Sequence, residues 1–136
     1  MKVLVDTNVL IDYLVGREPY FENAKKIIRL CIDKKIIGYM AAHSVTNMFF
    51  ILRKDYNPNI RRIMIKSLFD ILYVSGIDEK ALLNALDKDS FEDFEDCLQD
   101  ECAGICGAEY IVTRNIKDYT NSTVPAITPD EFLKLI

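Results

Sequence analysis

Two rhythms of apolar and polar positions alternate along this chain. Short continuous apolar runs at Val3–Val5, Ile36–Met40, Ile71–Val74 and Tyr110–Val112 read as strands buried on both faces. Between them apolar residues recur three and four apart, the spacing of one helix face. Val9, Leu10, Tyr13 and Leu14 open the first predicted helix. Pro19 suits the first turn of the next, which carries Phe21, Ala24, Ile27, Ile28 and Cys31 and stops near Asp33. A third spans His43–Lys54 with Val45, Met48, Phe49 and Leu52 inward. At about 100° per residue, Asn47 faces away from that stripe. After the Asp55–Pro58 turn, the pattern predicts Ile60, Ile63, Met64, Ser67, Leu68 and Ile71 inward and Arg61, Arg62 and Lys66 outward.

Asp78 caps a helix running through Ala81, Leu82, Ala85 and Leu86. The helix after it, over Phe91–Gly104, carries an apolar stripe of Phe91, Phe94, Leu98, Cys102 and Ile105. Small residues at Ala103, Gly104 and Gly107 predict a close approach to the sheet. Val124–Ile127 reads as a short edge strand, because Pro125 cannot donate to a central ladder. Thr128 and Pro129 open the last helix. Strands alternating with helices predict an α/β fold in three layers, with a central, mainly parallel sheet flanked by helices.

With 136 residues, half of them hydrophobic and 28% charged, the chain reads as one soluble domain over residues 1–136. No apolar run reaches the roughly 18 residues of a membrane span, and Asp6 interrupts the only N-terminal one. The expected location is the cytoplasm. Charge adds an asymmetry: residues 1–68 hold 12 Lys/Arg against 6 Asp/Glu, and residues 69–136 hold 5 against 15. A basic half suits phosphates and an acidic half suits cations, although both also suit plain solvated surface. Cys31, Cys97, Cys102 and Cys106 form no C-x-x-C pair, and with one histidine, His43, they read as small buried hydrophobes.

Candidate chemistry sits where strands end. Asp6 directly follows the first strand, so it either caps the next helix or joins a site at the sheet's carboxyl edge. Thr113 to Asp118 follow the Tyr110–Val112 strand in the same way. Asp93, Asp96 and Asp100 recur along one face of the preceding helix. If the two strands are neighbours, these acids converge on one edge. Carboxylates with few basic partners suit an oxygen-ligated Mg²⁺ or Mn²⁺, the ions of phosphodiester hydrolysis.

V-L-V-D-T-N-V-L-I-D (3–12), D-F-E-D-C-L-Q (93–99) and Y-I-V-T-R-N-I-K-D-Y (110–119) together resemble the three signatures of PIN-domain proteins, in order and over nearly the whole chain. The resemblance implies a Rossmann-like parallel sheet and a metal-dependent ribonuclease, and for small members a VapC-like toxin with an antitoxin partner. It implies Asp6 and Asp96 as metal-binding acids, with Asn115 and Asp118 in the last motif. Where the family usually has Glu, this chain has Asn47 within S-V-T-N, a form that a subgroup of PIN-like proteins shares. That exchange removes one negative charge and lowers the expected metal affinity. Asp93, one turn before Asp96, is the expected compensating acid. Thr7 and Asn8 are expected to orient Asp6, Thr113 to donate within the site or cap, and Arg114 to meet phosphate or solvent.

The leading functional expectation is a Mg²⁺/Mn²⁺-dependent endoribonuclease with RNA steered by Arg53, Lys54, Arg61, Arg62 and Lys66, a homodimer, and an antitoxin as partner. A catalytically weak PIN-like module binding RNA or protein is the alternative. A haloacid-dehalogenase-type phosphatase fits less well, because it needs a second acid where this chain has Asn8.

Overall fold

The computed structural model describes all 136 residues. Five parallel strands form one sheet in the order β3-β2-β1-β4-β5: β1 (Lys2–Val5), β2 (Ile37–Ala41), β3 (Tyr73–Ser75), β4 (Tyr110–Val112) and β5 (Ala126–Ile127). The helices are α1 (Thr7–Val15), α2 (Phe21–Ile32), α3 (Ala42–Ile51), α4 (Pro58–Leu68), α5 (Glu79–Asp87), α6 (Phe94–Cys106) and α7 (Pro129–Leu135). Short 3-10 turns occupy Leu52–Lys54 and Ile116–Tyr119. The three-layer α/β architecture read from the pattern is the one observed.

Strand pleating decides the layers, because successive side chains point to opposite faces. Val3 and Val5 of β1 and Met40 of β2 join a core with Leu10 of α1, Ile27 of α2, Met48 of α3, Leu68 of α4 and Phe132 of α7. Leu4 of β1 and Ile111 of β4 face the other way, onto Cys102 and Ala103 of α6. Helix α5 packs on the outside of α6 through Ala85 and Cys97. Full burial of Val3, Leu4 and Val5 makes β1 the spine of both layers, at about 1.5–3 kcal/mol for each side chain.

Several helix faces differ from the periodicity reading. Ile60 and Ile63 of α4 are exposed, Ile63 by 70%, and the inward positions are Ile65 and Leu68. Leu82 and Leu86 of α5 are exposed, because the small Ala81 and Ala85 face α6. Helix α6 begins at Phe94, so Phe91 precedes it, and Phe94 and Ile105 lie outside the core. Gly104 makes no close approach; the sheet contact is made by Ala103. The tight glycine is Gly38 in β2, where an added Cβ would lie 2.5 Å from Leu72 Cδ2 and 2.6 Å from Cys31 Sγ. Cys31, Cys97 and Cys102 are buried free thiols, and burial pushes Cys31 up to about 12 and Cys102 to about 11, so both stay protonated and inert. No helix is long and apolar enough to cross a membrane.

Gly38→Ala should therefore overpack the β2–α2 junction and cost about 1–3 kcal/mol, measured as a lower urea midpoint at unchanged slope. A midpoint equal to wild type would show that Leu72 and Cys31 give way freely.

Candidate active site

From β1 the chain moves to β2 and β3 on one flank, and β4 then pairs with β1 on the other. The direction of winding reverses between β1 and β4, and a crevice opens at the carboxyl ends of such strands. Val5 lies in register with Val112, so Asp6 and Thr113 leave the sheet side by side. The Asp6 backbone N–H still reaches Val112 O at 2.9 Å, which sets the carboxylate at this edge before α1 begins.

Asp6 is nearly fully buried and hydrogen-bonded on both oxygens. Oδ1 accepts from the Thr7 backbone N–H (2.7 Å) and Gln99 Nε2 (3.2 Å). Oδ2 accepts from Thr113 Oγ1 (2.7 Å) and Tyr119 OH (3.1 Å), with Asn8 Nδ2 farther off at 3.4 Å. Burial pushes its pKa above the ordinary carboxylate value, while the bonds from Thr113, Tyr119 and Thr7 favour the anion and hold it down. Asp6 thus precedes α1 as its cap residue and also stands at the centre of a polar network. Ser44, from the first turn of α3, joins that network: it receives Thr7 Oγ1 at 2.8 Å and Gln99 Nε2 at 3.0 Å.

Asp96, in the first turn of α6, faces the same hydroxyl. Tyr119 OH lies 3.3 Å from Asp96 Oδ1 as well as 3.1 Å from Asp6 Oδ2. A phenol has one proton to donate. When Asp6 takes it, an ionised Asp96 is left facing an oxygen lone pair, and a protonated Asp96 can donate instead. Burial and the neighbouring charges of Asp93, Asp6, Asp118 and Glu95 raise Asp96 to about 7. None of Asp6, Glu95, Asp96 or Asp118 has an ion-pair partner.

The remaining sequence-predicted residues divide in two. Asp93 is the N-cap of α6, accepting from the Glu95 and Asp96 backbone N–H groups, so it acts on Asp96 mainly through its charge. Asp118 lies on the exposed rim of an open cleft of about 680 Å³ that Asp93, Asp96 and Lys117 also line. Asn8 braces the Thr113 hydroxyl (3.3 Å). Asn115 and Arg114 turn to a different hollow, beside Asp12 and Tyr20. There Arg114 Nε lies 2.6 Å from Asp12 Oδ2 and its guanidinium stacks 4.0 Å from the Tyr20 ring, so its charge is committed to Asp12 rather than to the acidic edge. Asn47 is half-buried on α3, near the Glu95 side chain of α6. Arg53, Arg61, Arg62 and Lys66 line one groove with Phe49 and Phe50, and Lys54 lies outside that lining.

Gln99, Tyr119, Ser44 and Glu95 were not singled out by the sequence, although all four lie within its motifs. Gln99 follows Asp96 by three residues on the same helix face, and Tyr119 follows Asp118 directly. As for a cation, no three acidic, cysteine or histidine groups stand close enough to enclose one. Mg²⁺ does not demand such a cage: it keeps several waters and binds through one or two carboxylates. The all-oxygen pair Asp6 and Asp96, crowded by uncompensated charge, fits that requirement in its donor chemistry.

An acid whose pKa is raised on folding binds its proton more tightly in the native state. Asp96 therefore contributes stability below its ordinary value of 3.8, and that contribution is lost as the pH rises through about 7. Relative to Asp96→Asn, the wild-type melting temperature should fall between about pH 4 and pH 8. Carboxyl NMR should show Asp96 titrating near 7; titration in the ordinary carboxylate range would overturn the account.

Comparisons with known proteins place the fold and the family. No protein of curated function matches the chain in sequence. Among solved structures, DNA-bound VapBC from Salmonella typhimurium matches with a TM-score of 0.72 at 16% identity, covering 95% of this chain and 98% of that one. VapBC2 of Rickettsia felis, bound to a promoter DNA fragment, matches with a TM-score of 0.68 at 14% identity, over 94% of this chain and 98% of that one. VapC20 of Mycobacterium tuberculosis, a sarcin-ricin loop cleaving toxin, has a TM-score of 0.68 at 12% identity, over 89% and 96%. At these identities the likeness is one of fold. The family model for the PIN domain matches residues 2–117, and with that the chain belongs to the PIN-domain family.

Proposed function

We infer that the acidic edge is the active site of a divalent-cation-dependent endoribonuclease. The observation that carries this reading is the convergence of Asp6 and Asp96 on one hydroxyl at the β1–β4 switch point, with no basic partner for either. Asp6 and Asp96 would hold Mg²⁺ or Mn²⁺, with Asp118 at the rim. When bound, the ion supplies charge neutralisation at the phosphate and a more acidic water.

The chain's own residues do the rest. Thr7, Thr113 and Gln99 hold Asp6 in one orientation as an anion. Asp96, with its pKa near neutrality, can take up and release a proton at physiological pH. The cations of the α3–α4 groove, Arg53, Arg61, Arg62 and Lys66, would attract an RNA backbone to the protein, and the charge of Lys54 adds to theirs. The structural neighbours, VapBC assemblies and a sarcin-ricin loop cleaving toxin, support the toxin of a toxin–antitoxin pair as the biological setting. An antitoxin partner, a homodimer and a cytoplasmic location belong to the same reading.

A binding-only module is the second reading. It is favoured by the absence of a ready-made three-acid cage and by Asn47 in place of an acid. One experiment separates the two. Purified protein with Mn²⁺ should cleave single-stranded RNA, and Asp6→Asn should lose about 10²-fold or more of that rate. Equal cleavage by both proteins would mean contamination, whereas RNA binding without cleavage by the wild type would establish the second reading.

A further inference from the structure

A polar hollow of about 370 Å³ opens between the start of α2, the turn after β4 and the start of α7, lined by Tyr20, Asn23, Arg114, Asn115 and Asp130 among others. It shares one turn of chain with the acidic edge. Thr113 gives its hydroxyl to Asp6 at 2.7 Å, and the next two residues, Arg114 and Asn115, line the hollow. Two residues of chain span at most about 7 Å. The turn is fixed from both sides. The Arg114 backbone N–H donates to Asn8 Oδ1 at 3.4 Å, and that of Asn115 donates to Thr113 Oγ1 at 3.1 Å.

The hollow offers a flat surface that is already in place. Arg114 reaches Asp12 through Nε at 2.6 Å and Nη2 at 3.3 Å, which fixes the plane of the guanidinium. That group lies 4.0 Å from the centre of the Tyr20 ring, and Tyr20 stays 41% exposed. Two amides stand around this surface. Asn115 is exposed and enters hydrogen bonds through its backbone alone, and half-buried Asn23 holds no partner with its side chain. An amide brings donors and an acceptor together.

Charge decides what such a hollow takes. Asp12 is 1% exposed and matches Arg114, with Arg17 also at 3.5 Å. Asp130 is shared with Lys134 at 3.3 Å. A phosphate would have to displace a carboxylate to gain a cation here. A neutral, planar heterocycle meets no such obstacle: its face stacks on an aromatic ring or a guanidinium, and its edge pairs with amides. A surface fixed beforehand also loses little freedom when it binds.

We propose that this hollow is a nucleobase subsite, in which a base of the RNA strand stacks on the Tyr20–Arg114 surface and is held at its edge by Asn23 and Asn115. The subsite lies one turn of chain from Asp6, so it takes a nucleotide next to the reacting phosphate. That placement rests on the ribonuclease reading of the acidic edge, whereas the chemistry of the hollow does not.

The test is RNA binding in EDTA, which removes divalent ions, followed by fluorescence anisotropy. A short single-stranded RNA is compared with a strand of equal length and charge that lacks its bases. The wild type should bind the base-bearing strand about tenfold tighter or more. Tyr20→Ala should remove most of that advantage, and Asn23→Ala should reduce it about threefold. Both should leave binding of the baseless strand and the melting temperature unchanged. Tyr20→Phe keeps the ring and should bind as the wild type does. In NMR spectra, adenosine or guanosine without phosphate should shift the side-chain amide signals of Asn23 and Asn115. Equal binding of the two strands by the wild type overturns the proposal, as does an equal loss on both strands in Tyr20→Ala. Amide shifts with the free nucleoside, but no base-dependent RNA binding, overturn the RNA subsite and assign the hollow to a free nucleoside. Base-dependent binding by a protein that never cleaves with Mn²⁺ upholds the subsite and removes the nuclease reading.

Discussion

Everything at the functional edge depends on keeping one buried carboxylate charged. A carboxylate removed from water is penalised by several kcal/mol unless hydrogen bonds replace its hydration. Asp6 receives them from the start of α1, from α6, from the residue after β4 and from the 3-10 turn that ends at Tyr119. Charge-assisted bonds of this kind contribute about 1.5–3 kcal/mol each. Three of the donors, Gln99, Thr113 and Tyr119, come from the last third of the chain, and a single anion ties them to the end of β1. The crevice at the β1–β4 reversal is therefore held in shape by the group that makes it useful.

The buried acids of this protein fall into two kinds, and their partners tell them apart. Asp12 is neutralised by Arg114 at 2.6 Å and Arg17 at 3.5 Å. Asp100 accepts from the Thr123 and Val124 backbone N–H groups at 2.9 Å each and has Lys88 at 3.6 Å. Both fasten loops to the body of the fold, and each is electrically complete within the chain. Asp6, Glu95 and Asp96 instead have no basic partner: burial raises all three, and the charges of neighbouring acids, Asp118 at the exposed rim among them, add to it. A folded chain keeps such an arrangement at the expense of its own stability, a trade typical of sites that bind something of opposite charge.

Tyr119 links the two central acids in a way that neither acid could manage alone. Its hydroxyl touches both carboxylates, and burial between two acids drives its own pKa upward, so it stays a neutral donor. The one phenolic proton can go to either carboxylate, and Asp96, raised to about 7, is the group that exchanges near neutral pH. The basic groove of α3 and α4 lies on a different part of the surface. Its arginines stack on rings, Arg53 at 3.6 Å from Phe50 and Arg61 at 4.2 Å from Phe49, and each donates Nη1 to a backbone carbonyl, of Phe50 at 2.9 Å and of Phe49 at 2.8 Å. Acidic and basic features thus share α3, which gives Ser44 to the polar network and Val45, Thr46, Phe49 and Phe50 to the groove.

Local chemistry in the amino-acid sequence by itself determined the strand–helix alternation, the caps at Asp78 and Thr128, the edge position of β5 and the placement of Asp6 at a strand's end. Each of these depends on residues within a turn or two of one another. Which apolar faces were buried was less legible. Ile63 and Leu86 carry the helical spacing but are exposed by 70% and 67%, because burial is settled by what packs opposite, as Ala85 against α6 shows. The partners of Asp6 were legible only where they were adjacent, at Thr7 and Asn8. Gln99, Tyr119 and Thr113 lie 93 to 113 residues away. The division of the acids was hidden for the same reason. Asp93, Asp96 and Asp100 share a spacing, yet one caps, one faces the site and one ties down a loop. Only the tertiary structure assigned those roles, because a carboxylate's function is decided by the charges and donors that the fold brings to it.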